Sequence, residues 1–479
     1  MLVQVITSCK KNYLDVLPTD ALPAELVFTT TTNAWAALNG IHRSLYTQYL
    51  SNQDQGGAGT IMIYMDMMGD DLVQTTQGNG WFNTVYQWGS HRNVQGTATA
   101  AYFSYYFFYK LIANANMIIN NIDKATGPDA DKRYIKGEAL CYRAWSHYML
   151  VQLYGKRYDA TAKPNSQLGV PILITSTTDG QPRATVEEVY TQVNKDLDDA
   201  ITNLTGYTRT YKSHFNINVV KGIKARVALT QQNWTDAVKY ASEARQGNVL
   251  MSNVDYTQGF NNISNVEWMW GSQQVAEQTT YFYSFFAYMS ANYNSTNIRT
   301  NPKAINARLY RMISSTDIRK QLWDSTGASI PAPPNGVKKP FANKKFLVAT
   351  SASIGDVPMM RTAEMYLIEA EAQARLGQNA AAADALYTLV KNRDNGYVKS
   401  TRTGTDLLNE VLMQRRMELW GEGFRFLDLK RMNADLDRTG TNHDATLAQK
   451  MTVPAGDVLW QFLFPQNELN ANKAIVQNP

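Results

Sequence analysis

The chain has 479 residues, with 46 Lys and Arg against 41 Asp and Glu, which gives a formal net charge of +5. Hydrophobic residues make up 44% and charged residues 18%, a composition that excludes a disordered or strongly acidic protein. A small positive excess over so long a chain also argues against nucleic acid as a partner. The 10 Trp, 27 Tyr and 16 Phe residues favour a neutral, hydroxyl-rich ligand over a charged one.

The N-terminal segment carries a possible lipidation signal. Cys9 follows Val5-Ile6-Thr7-Ser8, the type of sequence that lipoprotein signal peptidase cleaves, although only eight residues precede it. Residues 1–9 are therefore interpreted as a truncated lipoprotein signal, with an incidental cysteine as the alternative. Residues 10–30 contain two prolines and predict an extended tether. Because no run approaches the ~20 apolar residues of a spanning helix, we expect membrane contact through a lipid on Cys9 only.

Hydrophobic residues at helical spacing dominate the chain that follows. Thr185 and Glu188 have the spacing of a capping box that opens a helix to Leu204. The other predicted helices of the first half cover residues 33–50, 98–122 and 131–154. Residues 51–96 contain eight glycines among aromatic residues, so they predict a long irregular loop with a functional role.

Two pairs of predicted helices share one pattern. The pairs are 216–231 with 234–246, and 361–376 with 380–393. Each has an Ala-x3-Gln-Asn-x3-Ala sequence at its turn, and small residues there allow two antiparallel helices to approach closely. The sequence predicts a mainly all-α protein. It would be a tetratricopeptide-like scaffold of helix pairs with long irregular loops and a few short strands, one of them at Glu267–Trp270.

Patterns for catalysis and metal binding are weak. The five histidines form no HxxxH or HxH spacing, and the chain contains no GxSxG nucleophile motif and no phosphate-binding P-loop. We therefore predict a non-enzymatic protein without a cofactor or a metal. Asp66, Asp70 and Asp71 lie in one loop and leave calcium open as a possibility, although EF-hand spacing is absent.

Several motifs, in the right order along the chain, resemble those of the RagB/SusD family. One is Gly137-Glu138-Ala139 with Arg143-Ala144, and another is the ending Phe464-Pro465-x2-Glu468-Leu469-x2-Asn472, after which Lys473 replaces the usual proline. The most diagnostic positions lie in two further helical motifs, at Arg361, Glu364 and Glu371 and at Arg415, Arg416, Glu418, Glu422, Arg425 and Asp428. Their i,i+3 and i,i+4 spacing suits a structural charge network between packed helices.

The resemblance implies a surface-exposed outer-membrane lipoprotein. Members bind oligosaccharides, or in some cases peptides, and pass them to a SusC-like TonB-dependent transporter. The implied regions are a SusD-like N-terminal part (31–215), a helical hairpin (216–247) and a RagB/SusD C-terminal part with a ligand-loop insertion (248–479), together forming one compact unit. Alternatives are a peptide-binding member or protein-interaction scaffold and an all-α glycosidase.

Two clusters of rings are the candidates for ligand stacking. The first combines Trp81, Phe82 and Trp88 with the amides of Asn79 and Asn83, and Trp81 is the match, by region, to the family's N-terminal ligand tryptophan. For Trp81 and Trp88, a place in the core is the alternative. The second cluster is a ring-rich stretch whose alternation suggests that one set of rings faces inward and the other outward: Tyr281, Phe282, Tyr283, Phe285, Phe286, Tyr288 and Tyr293. Of these rings, Tyr281, Tyr283, Phe285 and Tyr288 are the predicted ligand contacts.

Overall fold

A computed structural model of the protein describes residues 27–177, 179–278 and 282–479. Cys9, most of the predicted tether and Tyr281 lie outside the described residues. The helices are α1 (Thr31–Ser44), α2 (Gly57–Met67), α3 (Asn83–Tyr86), α4 (Ala100–Asn121), α5 (Asp129–Tyr154), α6 (Val186–Asn203), α7 (Ile217–Thr230), α8 (Trp234–Ala244), α9 (Asn253–Tyr256), α10 (Phe285–Met289), α11 (Thr296–Thr300), α12 (Ala307–Met312), α13 (Thr362–Arg375), α14 (Asn379–Arg393), α15 (Gly404–Glu418), α16 (Arg425–Arg431), α17 (Ala445–Ala448) and α18 (Gln466–Ala471). The mainly α class is confirmed.

Paired helices form the scaffold. Helices α7 and α8 make one hairpin and α13 and α14 another, and α13 also packs against α8, so the two hairpins stack. The alanines that flank the two Gln-Asn turns (Ala228, Ala237, Ala374 and Ala383) are buried, as close helix approach requires. In the first half, α5 lies between α4 and α6. The predicted capping box is present, with Thr185 and Glu188 each bonding the other's backbone N–H.

Short strands connect distant parts of the chain. They are β1 (Leu72–Gln74), β2 (Trp268–Ser272), β3 (Lys303–Ile305), β4 (Trp323–Asp324), β5 (Ala342–Asn343), β6 (Val357–Arg361), β7 (Leu436–Asp437) and β8 (Thr452–Val453). A four-stranded antiparallel sheet has the order β1-β3-β5-β4, and β2 pairs with β6 so that Trp268 lies opposite Arg361. The strand predicted at Glu267–Trp270 corresponds to β2, which is fully buried.

The glycine-rich segment differs from its prediction, because it contains the buried helix α2 and the strand β1. Gly56 and Gly59 lie against Tyr283 and Phe285, and a Cβ on Gly56 would come within 1.9 Å of the Tyr283 carbonyl oxygen. Here the glycines allow close backbone packing, and the helix, whose residues from Ile61 to Met67 are mostly apolar apart from Asp66, is buried on all sides. The prediction that 51–96 holds no regular element is therefore wrong.

Candidate functional site

The loop that carries Trp81 follows β1 and is fixed by hydrogen bonds to residues 300–302. The backbone N–H groups of Thr75 and Thr76 donate to Asn301 Oδ1 at 3.2 and 3.3 Å, and the Thr76 hydroxyl donates to the Thr300 carbonyl at 2.7 Å. Gly78 has φ +55°, and a Cβ at this position would approach the Asn301 Cβ to 2.9 Å. The turn is thus seated closely on the 300–302 segment.

Trp81 is a predicted ligand residue that the structure leaves partly exposed. Its ring meets Tyr288 edge-on with a centroid distance of 6.4 Å, and the neighbouring Phe82 packs against the same tyrosine at 4.7 Å. The side chain of Asn79 is exposed beside it. Together these residues present part of a flat ring and a free amide at the surface.

The structure corrects most of the other predicted stacking residues. Phe82, Trp88, Tyr283, Phe285 and Tyr288 are between 2% and 5% exposed, so their rings offer no open face to a ligand. The Trp88 ring packs among aromatic side chains, at 5.6 Å from Phe426 and 4.9 Å from Trp460. These rings are core residues, because aromatic stacking within the protein removes most of their apolar area from water.

The structure also removes Asn83 from the predicted site and adds Phe282 as a candidate. Asn83 is buried, and its amide donates to the Gln77 carbonyl at 3.2 Å and accepts from Gln74, so it is committed within the protein. Phe282 belongs to the second ring cluster but was not chosen as a ligand contact, yet it is 55% exposed. Its place in a run of rings was a signal, but the sequence did not show which ring of that run faces outward.

The base of the Trp81 loop is held by one buried arginine. Arg438 is 0% exposed and donates to the Gly69 carbonyl at 2.8 Å and to the Tyr86 carbonyl at 2.9 Å. It also donates to the Met67 backbone carbonyl at 2.6 Å. Because Gly69 and Tyr86 lie on either side of the loop, a single guanidinium connects its two ends.

Two aspartates before β1 join this loop to the C-terminal helices. Arg416 binds Asp71 at 2.6 Å, and Arg425 binds Asp70 at 2.5 Å. Burial alone would raise the pKa of Asp70, but the guanidinium of Arg425 holds it below its usual range. Asp66 accepts from the Gly423 backbone N–H at 2.7 Å, and burial raises its pKa to about 7. The three carboxylates suggested for calcium are thus engaged by protein groups, which argues against that suggestion.

The signature residues form a buried charge network. The Arg361 guanidinium reaches Glu267 at 2.6 Å, Glu418 at 2.9 Å and Glu422 at 2.7 Å. The remaining ion pairs of this network, which contains four cations and four anions in all, are Arg393–Glu267, Arg393–Glu418, Arg319–Glu418, Arg319–Asp317 and Lys345–Glu422. The interpretation of the signature residues as a structural network, and not as ligand contacts, is supported. Every cation side chain of the network is 0% exposed and therefore out of reach of a ligand in solution.

A second buried cluster connects α13, α15 and α16. Asp428 binds Arg415 at 2.7 Å and Arg431 at 2.8 Å, and Arg431 also binds both oxygens of Glu371 at 2.7 Å. The remaining signature carboxylate, Glu364, pairs with Arg226 at 2.6 Å. These contacts join helices that the sequence places far apart.

Asp428 gives the fold a specific acid sensitivity. Burial alone would raise its pKa, but Arg415 and Arg431 lower it from 3.8 to about 2. The unfolded chain binds a proton here more readily than the folded protein, so this stabilisation, about 2 kcal/mol, is present above pH ~4 and is lost as the pH falls towards 2. In denaturant unfolding, the stability difference between the wild type and Asp428→Asn should therefore shrink between pH 5 and about pH 2. A difference independent of pH would contradict this assignment.

Cavities also occur away from the Trp81 loop in the described part of the chain, and two of them are large and open. One, of about 480 Å³, is lined by amide side chains, among them Gln258, Asn262 and Asn265, together with Phe260. Sequence reasoning missed it, although four amides within eight residues at 258–265 were a visible signal. The other, of about 470 Å³, lies between α1 and β2 and is lined by His42 and His214.

No metal was predicted, because the histidines lack local metal-binding spacing. Among residues 27–177, 179–278 and 282–479, one His/Cys/Asp/Glu group has ligand atoms close enough together to hold an ion, namely His42, Glu138 and His214. These residues are 96 and 76 positions apart along the chain, so local sequence motifs could not reveal the group. In the same part of the chain, no helix has the length and apolar character needed to cross a membrane.

Comparison with known proteins finds relatives that match almost the whole chain in sequence and fold. A SusD-like protein of Formosa agariphila is 23% identical over 493 aligned positions, which cover 91% of this chain and 90% of the relative. The crystal structure of a SusD-like carbohydrate-binding protein from Bacteroides vulgatus is 27% identical, with a TM-score of 0.82 over 94% of this chain and 98% of that one. A laminarin-binding SusD-like protein, at 19% identity and a TM-score of 0.72 over 94% of this chain and all of the other, has the same fold.

Family models cover the chain almost from end to end. Residues 12–229 match a SusD-like family described as starch-binding and associating with the outer membrane. Residues 223–479, more than half of the chain, match the SusD family. With its buried signature network and its stacked helical hairpins, this chain belongs to the SusD family.

Proposed function

We propose that the protein binds oligosaccharides at the bacterial cell surface and has no catalytic activity. Membership of a family described as starch-binding supports this, as does the fold shared with a laminarin-binding protein. The observation that carries the proposal is the partly exposed ring of Trp81, two residues after the exposed amide of Asn79. A sugar ring has an apolar C–H face and a polar rim, which an indole and an amide complement.

The energetics require more than this one ring. A sugar face that hides about 100 Å² of apolar area on Trp81 gains about 2.5 kcal/mol. A millimolar complex needs about 4 kcal/mol. Hydrogen bonds to the sugar rim, with Asn79 as the first candidate, and a second ring such as Phe282 would supply the remainder.

The proposal also covers how the protein is held at the membrane and where its ligand goes. A lipid on Cys9 would hold the protein at the outer membrane, and a TonB-dependent transporter would receive the bound oligosaccharide. The family description as associating with the outer membrane supports this arrangement. Radiolabelled palmitate incorporation in the full-length precursor, compared with Cys9→Ala, tests the anchor.

Calorimetry against a glycan panel that includes starch and laminarin tests the binding function. Trp81→Ala is expected to weaken the best binder at least tenfold, because one stacking surface is lost. Trp234→Ala removes another partly buried tryptophan, on α8, and should leave affinity unchanged. If Asn262→Ala lost glycan affinity tenfold while Trp81→Ala did not, the binding site would instead lie in the amide-lined cavity. Failure of every glycan to bind would contradict the proposal and favour a peptide ligand.

A further inference from the structure

Two histidines and a glutamate converge beneath the cavity between α1 and β2. His42 Nε2 and His214 Nδ1 are 3.1 Å apart, and His214 Nδ1 lies 2.9 Å from Glu138 Oε1. The second carboxylate oxygen is 3.6 Å from His42 Nε2. For a tetrahedral ion with bonds of about 2.0–2.1 Å, two ligand atoms are about 3.3 Å apart. The observed separations fall around this value.

Hydrogen bonding also connects the three ligand atoms directly. If His214 Nδ1 carries a hydrogen, it donates to Glu138 Oε1 at 2.9 Å, and the lone pair of His42 Nε2 faces the same hydrogen from 3.1 Å. A cation placed between the three atoms would take the place of this shared hydrogen and be bound by all three.

The surroundings also suit a metal site. The Tyr142 hydroxyl lies 2.5 Å from His42 Nδ1, and the backbone N–H of Phe215 donates to Glu138 Oε2 at 3.0 Å, so outer groups orient two of the three ligands. Arg209 donates to the His214 carbonyl and so fixes the loop that carries this ligand.

Two of the three ligands border an open cavity, whereas the Glu138 side chain is fully buried. The side chains of His42 and His214 are 9% and 11% exposed, and both line the cavity of about 470 Å³ together with Tyr46 and Gln273. An ion could enter by this route, and water or a ligand in the cavity could fill a remaining coordination position. Imidazole and carboxylate ligands with an open position are typical of zinc and similar divalent transition metals.

We propose that His42, Glu138 and His214 form a site for a divalent transition-metal ion of the zinc class, with an open coordination position facing this cavity. The site joins α1, α5 and the loop before α7. It is separate from the Trp81 loop and does not depend on the proposed glycan binding.

Metal uptake by tag-free, EDTA-treated full-length protein tests this proposal. After equilibration with micromolar Zn²⁺ and gel filtration, we expect one tightly bound zinc per chain by elemental analysis. Co²⁺ should give the visible absorption bands of a four- or five-coordinate ion. His214→Gln should weaken Zn²⁺ binding by about a hundredfold or more and abolish these bands. His443→Gln removes another buried histidine outside the group and should bind as the wild type does.

Folding of the variants is monitored by circular dichroism without metal. Since His214 lies at the cavity wall, His214→Gln is the primary variant, and His42→Gln provides a second one. Zn²⁺ should raise the melting temperature of the wild type and of His443→Gln but not that of His214→Gln. A wild-type protein that takes up no Zn²⁺, or a folded His214→Gln protein that binds it equally well, would overturn the proposal.

Discussion

Replacement of Glu418 by alanine is expected to lower the free energy of unfolding by about 3–5 kcal/mol, because it leaves buried positive charge without a partner. The Glu418 carboxylate receives Arg361, Arg393 and Arg319 at distances from 2.9 to 3.5 Å. Burial by itself would raise the pKa of Glu418, but these three arginines hold it below its usual range. The carboxylate therefore stays ionised in the interior, and the network remains neutral overall.

Chemical denaturation at pH 7 measures this effect. The matched control is Glu243→Ala, which breaks the partly exposed Lys221–Glu243 pair and should cost no more than about 1 kcal/mol. The Glu418→Gln variant keeps the size of the side chain, so a similar loss in that variant assigns the effect to charge. A cost for Glu418→Ala no larger than that of the control would show that the network contributes little to stability.

Trp88→Ala is the second change with a large expected effect, a loss of about 3–5 kcal/mol in the free energy of unfolding. Its ring is 2% exposed and fills the space between Phe426, Trp460 and His91. Removal of the indole leaves a cavity that these rings can close only in part. Trp81→Ala should cost less, because its side chain is only partly buried.

The two tryptophans therefore separate stability from binding. Thermal unfolding should show a large decrease in melting temperature for Trp88→Ala and a small one for Trp81→Ala. Calorimetry should show the reverse order for the loss of glycan affinity. If Trp88→Ala folded with unchanged stability and lost the ligand, its assignment to the core would be wrong.

Prediction from sequence worked where local periodicity decides the structure. The helix predicted over 131–154 is observed as α5, and the turns of the two hairpins lie at the repeated Gln-Asn pairs. The helical spacing of Glu418 and Glu422 also indicated a charge network. A further member, Glu267, could not be predicted from spacing, because it lies in the turn before β2, far from these residues in the chain.

The choice of which rings face solvent was less predictable. Phe82 and Trp81 are adjacent and both aromatic, and both contact Tyr288, yet Phe82, which has a left-handed backbone, is buried there while Trp81 remains partly exposed. That orientation depends on packing against a segment 200 residues later. For the same reason, no local pattern pointed to the group formed by His42, Glu138 and His214.

The connection made by Arg438 has a consequence for the kinetics of recognition. Because one guanidinium joins the carbonyls of Gly69 and Tyr86, the loop between them is already ordered before any encounter. An incoming molecule would therefore not have to select a rare conformer, and little entropy would be lost in the protein on association. Capture should then follow a single rapid phase whose rate rises linearly with concentration, without the plateau that a slow rearrangement of the loop would impose.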